Sequence, residues 1–600
     1  MSDIVPFNKN SYVAFDGISI RDNIINRLNQ SKIFTDQNYQ GSNLSALIDV
    51  ISYTFTTLLY YLNKTSSESM FSEAQIYENM NRIVKILNYK PIGRLGQNVP
   101  FNLSANSNIA KGNYFIPRFS YINVGGTQFS LNQDIVFSKL TDGDSEISDV
   151  NNNYLLYQGL FQEYPLYTSA GIDNEVIYLA LGETVQIDHF NIFVYVKPKN
   201  SNKWEKWSNV SDLFLYTATE NVYTTRFNEN LRYEIQFGDD INGRRLNEGD
   251  QVAIYYLQID STSSGIAPQA LNNSKFVQYN SLRYNQILSD TSFNFDEKLS
   301  NSQLNNISIS NEYPSNSYSD YENVESIKAN APNNFRSQYR LVTSRDYESF
   351  IKSNYFNIIS DTVVVGNDDY LRGHLRYLYE IGLKDPQLQN QILFNQVKFA
   401  NSCNFNNLYV YAVPKNETQD FLSPPQKELI LNGTEESKTI TSKIIISDPV
   451  YMNFDFYIKS PISDATIDDL SLNKLRIIKE KNTRRASSAI VADIKNLFLS
   501  KFNHSVSRLG QVIDLYQLTS EILNLDGVEN VETYRSDTNT SANGISILMW
   551  NDLYPYQDAK VYSQNLTLEY FQYPIFNNIN DITSRIEVVE QSGFIKAVEF

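Results

Sequence analysis

The chain has 600 residues, too many for one hydrophobic core, and its length corresponds to about four domains. Hydrophobic residues make up 42% and charged residues 20%, which excludes a disordered chain, and a formal charge of −17 argues against nucleic-acid binding as the main task. A single cysteine, Cys403, excludes a disulfide framework and a cysteine-based metal site, and 23 glycines with 17 prolines exclude collagen-like and other fibrous repeats.

Residues 18–30 carry Ile20, Ile24, Ile25 and Leu28 on a short helical stripe. The clearest helix follows at 44–62, where Leu44, Leu47, Ile48, Ile51, Phe55, Leu58, Leu59 and Leu62 recur at helical spacing and Ser42 or Asn43 supplies the N-cap. Burying each such side chain contributes about 1.5–3 kcal/mol. A second helix is predicted over 74–88, with Ile76, Met80, Ile83, Val84 and Leu87, ending near Pro91. Tyr53, Tyr60 and Tyr61 widen the apolar surface of the 44–62 helix beyond what one antiparallel neighbour covers. We read the bundle as completed by another subunit rather than closed on itself. The candidate partner-interface residues are Leu44, Leu47, Ile48, Ile51, Phe55, Leu58, Leu62, Ile76, Met80, Ile83 and Leu87.

From about 98 the period becomes strand-like, as in Val99, Phe101 and Leu103, then Val176 with Tyr178 and Phe193 with Tyr195. An antiparallel β-rich domain is expected to about 270. It closes on a hairpin in which Tyr233–Phe237 and Val252–Tyr256 flank the turn Gly238-Asp239-Asp240-Ile241-Asn242-Gly243. Residues 271–335 are polar and poorly patterned and read as a connector. Thr343 with Asp346 signals a helix start, strands are predicted at 358–365, 408–413 and 449–458, and a helix at 487–503. Asp514 with Gln517 caps a further helix whose end suits Gly527, and the tail 536–600 returns to strand-like pairs. The fold class is multidomain α+β: a helical bundle at 1–97, a β-rich domain at 98–270, the connector at 271–335, α+β domains at 336–535 and a β-rich tail at 536–600.

Chemistry-bearing motifs are missing from the sequence. His189, His374 and His504 stand far apart, none in metal-ligand spacing, and no phosphate loop or nucleophile elbow occurs. Cys403 has no nearby histidine or cation to activate it. Asp142, Asp144 and Glu146 imitate a calcium loop for three positions but place Ile147 where glycine is needed, and Arg244 spoils a similar reading of Asp239, Asp240 and Asn242. The run Lys479 to Arg485 is the densest basic cluster and reads as a solvated segment. Neither catalytic residues, metal ligands nor a cofactor are predicted. No unbroken apolar run reaches the ~18 residues of a membrane span, and the first residues lack a leader pattern, so no direct membrane insertion is expected. The 42 tyrosines and many asparagines reflect codon bias first and interface enrichment second.

Four stretches in order carry a family likeness: Gly41-Ser42-Asn43-Leu44 with Leu47-Ile48-Asp49, Tyr53 and the Asn88-Tyr89-Lys90-Pro91 exit; Phe237-Gly238-Asp239-Asp240 with Gly243, Gly249, Val252 and Tyr255; Ala331-Pro332 with Arg340 to Tyr347; and Leu509-Gly510 with Leu515, Leu518, Ile522, Gly527-Val528 and Val531. The chain resembles the baseplate-J-like proteins of contractile tails, most closely the inner-ring wedge subunits of T-even-like phage baseplates. Ile116-Pro117 looks like a fifth match, but Arg118-Phe119 replaces the small or glycine turn often seen there. The resemblance implies a non-enzymatic structural subunit of the virion tail baseplate, made in the host cytoplasm. It implies two copies of the chain with one larger wedge subunit, their N-terminal helices bundled and touching a small lysozyme-like baseplate subunit. The C-terminal parts would meet neighbouring wedges and close a ring around the central hub, relaying the change that triggers sheath contraction, with hinges near 89–98 and within 271–335. The rival readings are a receptor-binding fibre or adhesin, a tail-associated glycan-cleaving enzyme, and a baseplate component of a non-phage contractile injection machine.

Overall fold

The structure is a computed structural model that describes residues 17–31, 42–105, 108–140, 154–182, 184–262, 265–290, 297–298, 301–338, 340–370, 372–373, 406–459, 469–481, 483–551 and 560–590. The calcium-like stretch at 142–146, His374 and Cys403 lie outside them. The fold is multidomain α+β, and it divides into two compact units. The first comprises Met1–Pro91, Arg226–Glu234 and Glu322–Phe335; the second comprises Ile92–Thr225, Ile235–Tyr321 and Arg336–Phe600.

In the first unit, helices α1 (Gly17–Ser31), α2 (Asn43–Glu68) and α3 (Tyr77–Lys85) follow one another. Ser42 caps α2, its hydroxyl accepting from Ser45 N–H at 3.0 Å. The second predicted helix is shorter than its apolar spacing suggests. It stops at Lys85, where the N–H of Ile86 donates to the Ile83 and Val84 carbonyls; the chain then turns, Asn88 and Tyr89 N–H donating to the Lys85 and Val84 carbonyls and Asn88 adopting a left-handed φ of 56°. Pro91 is therefore not what ends it. Met80 and Val84 pack on Ala74, Tyr89, Ile327 and Ala331, and the Tyr89 hydroxyl donates to Glu322 at 2.8 Å. Asn81 donates to the Phe227 carbonyl at 3.0 Å, seating α3 on the 226–234 loop.

In the second unit the N-terminal strands are β1 (Asn98–Ala105), β2 (Gly112–Ile116), β3 (Tyr121–Val124), β4 (Thr127–Leu131), β5 (Ile135–Lys139), β6 (Tyr154–Gln158), β7 (Leu160–Glu163), β8 (Tyr167–Thr168), β9 (Val176–Tyr178), β10 (Gln186–Lys197), β11 (Glu205–Asn209), β12 (Val222–Phe227), β13 (Tyr233–Phe237) and β14 (Gln251–Ile259). The largest sheet runs β7-β14-β10-β11-β12-β13-β9, with β8 also on β14. The expected hairpin of β13 with β14 is thus not formed. The run Val252–Leu257 is buried throughout, so β14 lies inside the sheet against β10 and β7, where both its faces are covered. Gly238–Gly243 is still a tight turn. Asp239 accepts from the N–H groups of Ile241 and Asn242, and Asp240 has a φ of 64°.

Most described residues of the stretch expected as a connector belong to folded structure, up to Tyr321 in this unit and from Glu322 in the first. The stretch carries α4 (Leu282–Asp290), β15 (Glu297–Lys298), α5 (Asn301–Leu304), β16 (Ile307–Ser310) and the start of α6 (Val324–Ser337). β16 pairs with β1, Asn102 opposite Ser310, and Leu271, Phe276, Leu304, Ile307 and Ile309 share one core with Val99 and Phe101. Of the expected hinge at 89–98, residues 92–97 are pinned: Gly93 N–H donates to His189, Leu95 bridges Ser319, and Gly96 N–H donates to the buried Asp188 at 2.7 Å. Burial raises the Asp188 carboxyl to about 6, against the lowering effect of its bonds from Gly96, Asn191 and Phe190.

The C-terminal half alternates α7 (Ser344–Asn354), β17 (Ile359–Gly366), β18 (Asn407–Pro414), α8 (Pro424–Thr434), β19 (Lys443–Ser447), β20 (Val450–Phe456), β21 (Asn473–Lys479), α9 (Ser487–Phe502), β22 (Val512–Ile513), α10 (Leu515–Leu523), β23 (Val528–Arg535), β24 (Thr540–Asn543), β25 (Ile547–Trp550), β26 (Lys560–Tyr562), β27 (Leu566–Thr567), β28 (Gln572–Phe576) and β29 (Ile586–Glu590). Thr343 and Asp346 form the capping box of α7. Asp514 caps α10, but the Gln517 side chain turns to Glu521, and Gly527 lies beyond the helix end, before β23. The tail is not separate from this half: β28 adds parallel to β20 and β29 parallel to β21, and Leu568, Phe576 and Ile586 enter the core built by Ile490, Ile494 and Leu518. In the basic run, Lys479 pairs with Glu590 and Arg485 with Asp493.

Phe119 explains why a small residue suits the turn after Pro117. Its φ is 67°, a left-handed value that a bulky side chain adopts under strain. The ring is held by Phe161, Phe193, Tyr255, Tyr279 and Tyr284 at centroid distances of 4.2 to 6.0 Å. We expect Phe119→Ala to destabilise this unit by about 3–5 kcal/mol in urea unfolding. Phe119→Gly should cost about 1 kcal/mol less, because glycine relieves the strained φ. Equal losses would mean that the backbone stores no strain there.

Candidate assembly surface

The candidate surface lies on α2. Ser45, Ile48 and Ser52 are buried along one shoulder, where α1 packs with Ile20, Ile24, Ile25 and Leu28 half-buried. Arg21 pairs with Asp49 at 2.6 Å across the same seam. The centre of the apolar stripe is left in water: Leu47, Ile51, Phe55, Leu58 and Leu62 are 42 to 66% exposed. Val50, Tyr53, Tyr60 and Tyr61 extend it on the far side and are also exposed. Contiguous apolar surface of this kind marks an interaction site, whereas scattered single residues do not.

Hydroxyl groups on α2 do not interrupt this surface. Thr54, Thr56, Thr57 and Thr65 each donate to the carbonyl four residues back, at 2.7 to 2.9 Å. Their polar atoms are satisfied within the helix and need no water. By length and composition α2 is also long and apolar enough to cross a membrane. A count of unbroken apolar residues misses this, because serine and threonine break the run while adding little polarity.

Among the predicted interface residues, Ile48 and Met80 are buried by the chain itself, Leu44, Ile83 and Leu87 are half-buried, and Ile76 is exposed. Val50, exposed beside the stripe, is not among the predicted residues, although it stands three residues after Leu47.

The end of α2 is fastened to the start of α3 by one carboxylate. Ile76 has no side-chain acceptor to cap α3. Glu68, nearly buried, does this from the preceding helix: it accepts from Gln75 and Ile76 N–H at 3.2 and 3.1 Å, from Asn79 at 3.2 Å, and pairs with Lys64 at 3.0 Å. Burial would raise its carboxyl, but Lys64, the two backbone N–H groups and Asn79 outweigh that and hold it at about 2, against an ordinary 4.5. Lys64, Glu68, Ile76, Asn79, Arg82 and Ile83 line an open groove of about 440 Å³ beside this clasp.

The remaining candidates do not converge. His189 accepts from Gly93 N–H, and the ring of His504 lies 2.7 Å from the Pro414 carbonyl oxygen. Among the described residues no group of three or more His, Cys, Asp or Glu side chains is placed to hold a metal ion.

No family model matches the chain. It is 23% identical over 352 residues to the baseplate wedge protein gp6 of Enterobacteria phage T4, a match covering 57% of this chain and 50% of that protein. The chain thus matches about half the length of this curated relative. Two solved assemblies overlap more loosely. The baseplate of the anti-feeding prophage gives a TM-score of 0.29 at 10% identity, over 94% of this chain and 98% of that one. The TssK-TssF-TssG baseplate subcomplex of the type VI secretion system gives 0.27 at 7% identity, over 67% of this chain and 96% of that one.

Because the Glu68 pKa is depressed on folding, its contribution to stability is complete above about pH 4.5 and is lost as the pH falls toward 2. We expect Glu68→Gln to be less stable than the parent at pH 7. The difference between the two chains should vanish between pH 4.5 and 2 when helix melting is followed by circular dichroism. A difference that stays constant with pH would contradict the ionised clasp.

Proposed function

We propose that the chain is a structural subunit of the baseplate wedge of a contractile tail. The observation that carries this reading is the uncovered apolar stripe on α2, on a chain similar to a phage baseplate wedge protein. The stripe at Leu47, Ile51, Phe55, Leu58 and Leu62 takes helices of other subunits: a second copy of this chain and one larger wedge subunit, in a 2:1 heterotrimer. A small lysozyme-like baseplate subunit meets the same bundle. Subunits assembled in this way form the inner ring around the hub, and the ring relays the rearrangement that triggers sheath contraction.

The function is then one of assembly and switching rather than of bond chemistry. Bringing nine exposed large side chains of α2 out of water gives the association its driving force. A switch also needs two arrangements of similar free energy, each biased by contacts made elsewhere in the assembly.

The test is to measure mass by light scattering for the chain alone and co-expressed with the structural proteins encoded beside it. A 2:1 complex that forms only with a partner is the expected result. Replacing Leu47 and Ile51 together with Asp should abolish that complex, while near-ultraviolet circular dichroism from the β-rich unit stays unchanged. A stable lone monomer that ignores every partner would overturn the reading. Flotation with phospholipid vesicles, lost in the same double variant, would assign the stripe to a bilayer instead.

A further inference from the structure

Two adjacent side chains on β10 hold the segment 92–97, and each does so through an atom that acid can protonate. β10 departs from its register with β14 between Ile187 and Ile192, and Asp188 and His189 stand in that irregularity. Asp188 Oδ2 accepts from Gly96 N–H at 2.7 Å, and His189 Nδ1 accepts from Gly93 N–H at 3.0 Å. The approach is close: a Cβ on Gly96 would lie 3.0 Å from Ile259 and 3.3 Å from Asp188 Oδ2, so glycine suits this position. Further bonds use backbone alone. The Arg94 carbonyl accepts from His189 N–H, the Gln97 carbonyl accepts from Gln158 N–H, and Leu95 exchanges two bonds with Ser319.

The two acceptors respond to acid in the same direction. Asp188 is buried, and that burial brings its carboxyl up to about 6. Its oxygens are not equivalent. Oδ1 accepts from Phe190 N–H at 3.1 Å and from Asn191 Nδ2 at 2.8 Å, whereas Oδ2 holds Gly96. A proton therefore adds to Oδ2, where one bond is given up rather than two, and an O–H then confronts the Gly96 N–H. His189 Nδ1 accepts only while the ring is neutral, because the imidazolium donates from both nitrogens. Histidine commonly takes that proton between about pH 5 and 8. The titratable groups around the pair do not offset this. Tyr157 is buried, and its hydroxyl is pushed up by that burial and by the Asp188 charge, so it stays neutral. Arg94, on the segment itself, pairs with Asp320 at 3.0 Å and lies over the Tyr321 ring, and the Tyr318 hydroxyl reaches the same Asp320.

We infer that Asp188 and His189 form a latch on the segment 92–97 that is closed at neutral pH and opened on its β10 side by mild acid. The Leu95–Ser319 bridge contains no titratable group, so the segment loosens without detaching. The change is also local. A carboxyl at about 6 in the folded chain, against an ordinary 3.8, binds its proton more tightly folded than unfolded. Its contribution to stability is thus full below about pH 3.8 and is lost as the pH rises through 6, so protonating Asp188 does not unfold the unit. Part of the hinge expected at 89–98 is then rigid or loose according to pH. This property goes beyond the function proposed above and is independent of it.

Hydrogen exchange of the full-length chain at about pH 7.5 and about pH 5, with rates corrected for the pH dependence of free amides, is the test. Protection of the Gly93 and Gly96 amides should fall about tenfold or more between the two, while 252–257 in β14 keep theirs. Asp188→Asn places an amide N–H where Oδ2 was and should leave Gly96 unprotected at both pH values. His189→Gln supplies an acceptor that does not titrate and should keep Gly93 protected at both. If Asp188→Asn fails to fold, the parent and His189→Gln decide the matter between them. Equal protection of the parent at the two pH values would overturn the inference. So would a loss shared by β14, which is general unfolding, or a pH step that persists when both replacements are combined.

Discussion

The apolar surface of α2 must be kept from water, and among the described residues little covers it. At 1.5 Å per residue, α1 is about 22 Å long and α2 about 39 Å, so one neighbour cannot span the other. α1 pairs with α2 through Arg21 and Asp49, while Ser45, Ile48 and Ser52 are the buried positions in the first half of α2 and the centre of the stripe stays exposed. What remains exposed is a continuous band from Leu47 to Leu62. The helical unit is therefore an unfinished bundle, and the function proposed for the chain follows from what would finish it.

The β-rich unit shows the opposite economy. Many of its aromatic residues are spent inside. Tyr195, Tyr223, Tyr255 and Tyr284 are among its largest fully buried side chains, and several hydroxyls find internal acceptors, Tyr223 on the Ile192 carbonyl and Tyr284 on that of Arg118. Arg118 itself is held by Asp134 beneath the Phe119 cluster. Tyrosine serves this protein as a core residue with a polar end. Among the described residues it faces outward in a group on α2, at Tyr53, Tyr60 and Tyr61.

Much of the local structure is legible in the sequence, because it is decided over three or four residues. Ser42, Thr343 and Asp514 each cap the helix that follows, and the apolar spacing of α9 and α10 names their buried faces. Where a longer-range partner takes over, the reading fails. β13 and β14 look like a hairpin, yet β14 joins β10, since its buried run needs cover on both faces. The polar 271–335 stretch looks like a linker, yet β16 completes a sheet with β1 from some two hundred residues away.

The sequence by itself determines the fold class, the positions of most helices and strands, and the existence of one helix with more apolar surface than a soluble bundle of its own can use. These rest on periodicity and capping, which are properties of neighbouring residues. The tertiary structure decides which part of that surface stays open, because burial depends on where α1 docks, and it decides that Ile48 and Met80 are spent within the chain while Leu47 and Ile51 are not. Such facts depend on groups far apart in the chain being brought within hydrogen-bonding distance, and no local pattern of residues encodes that distance.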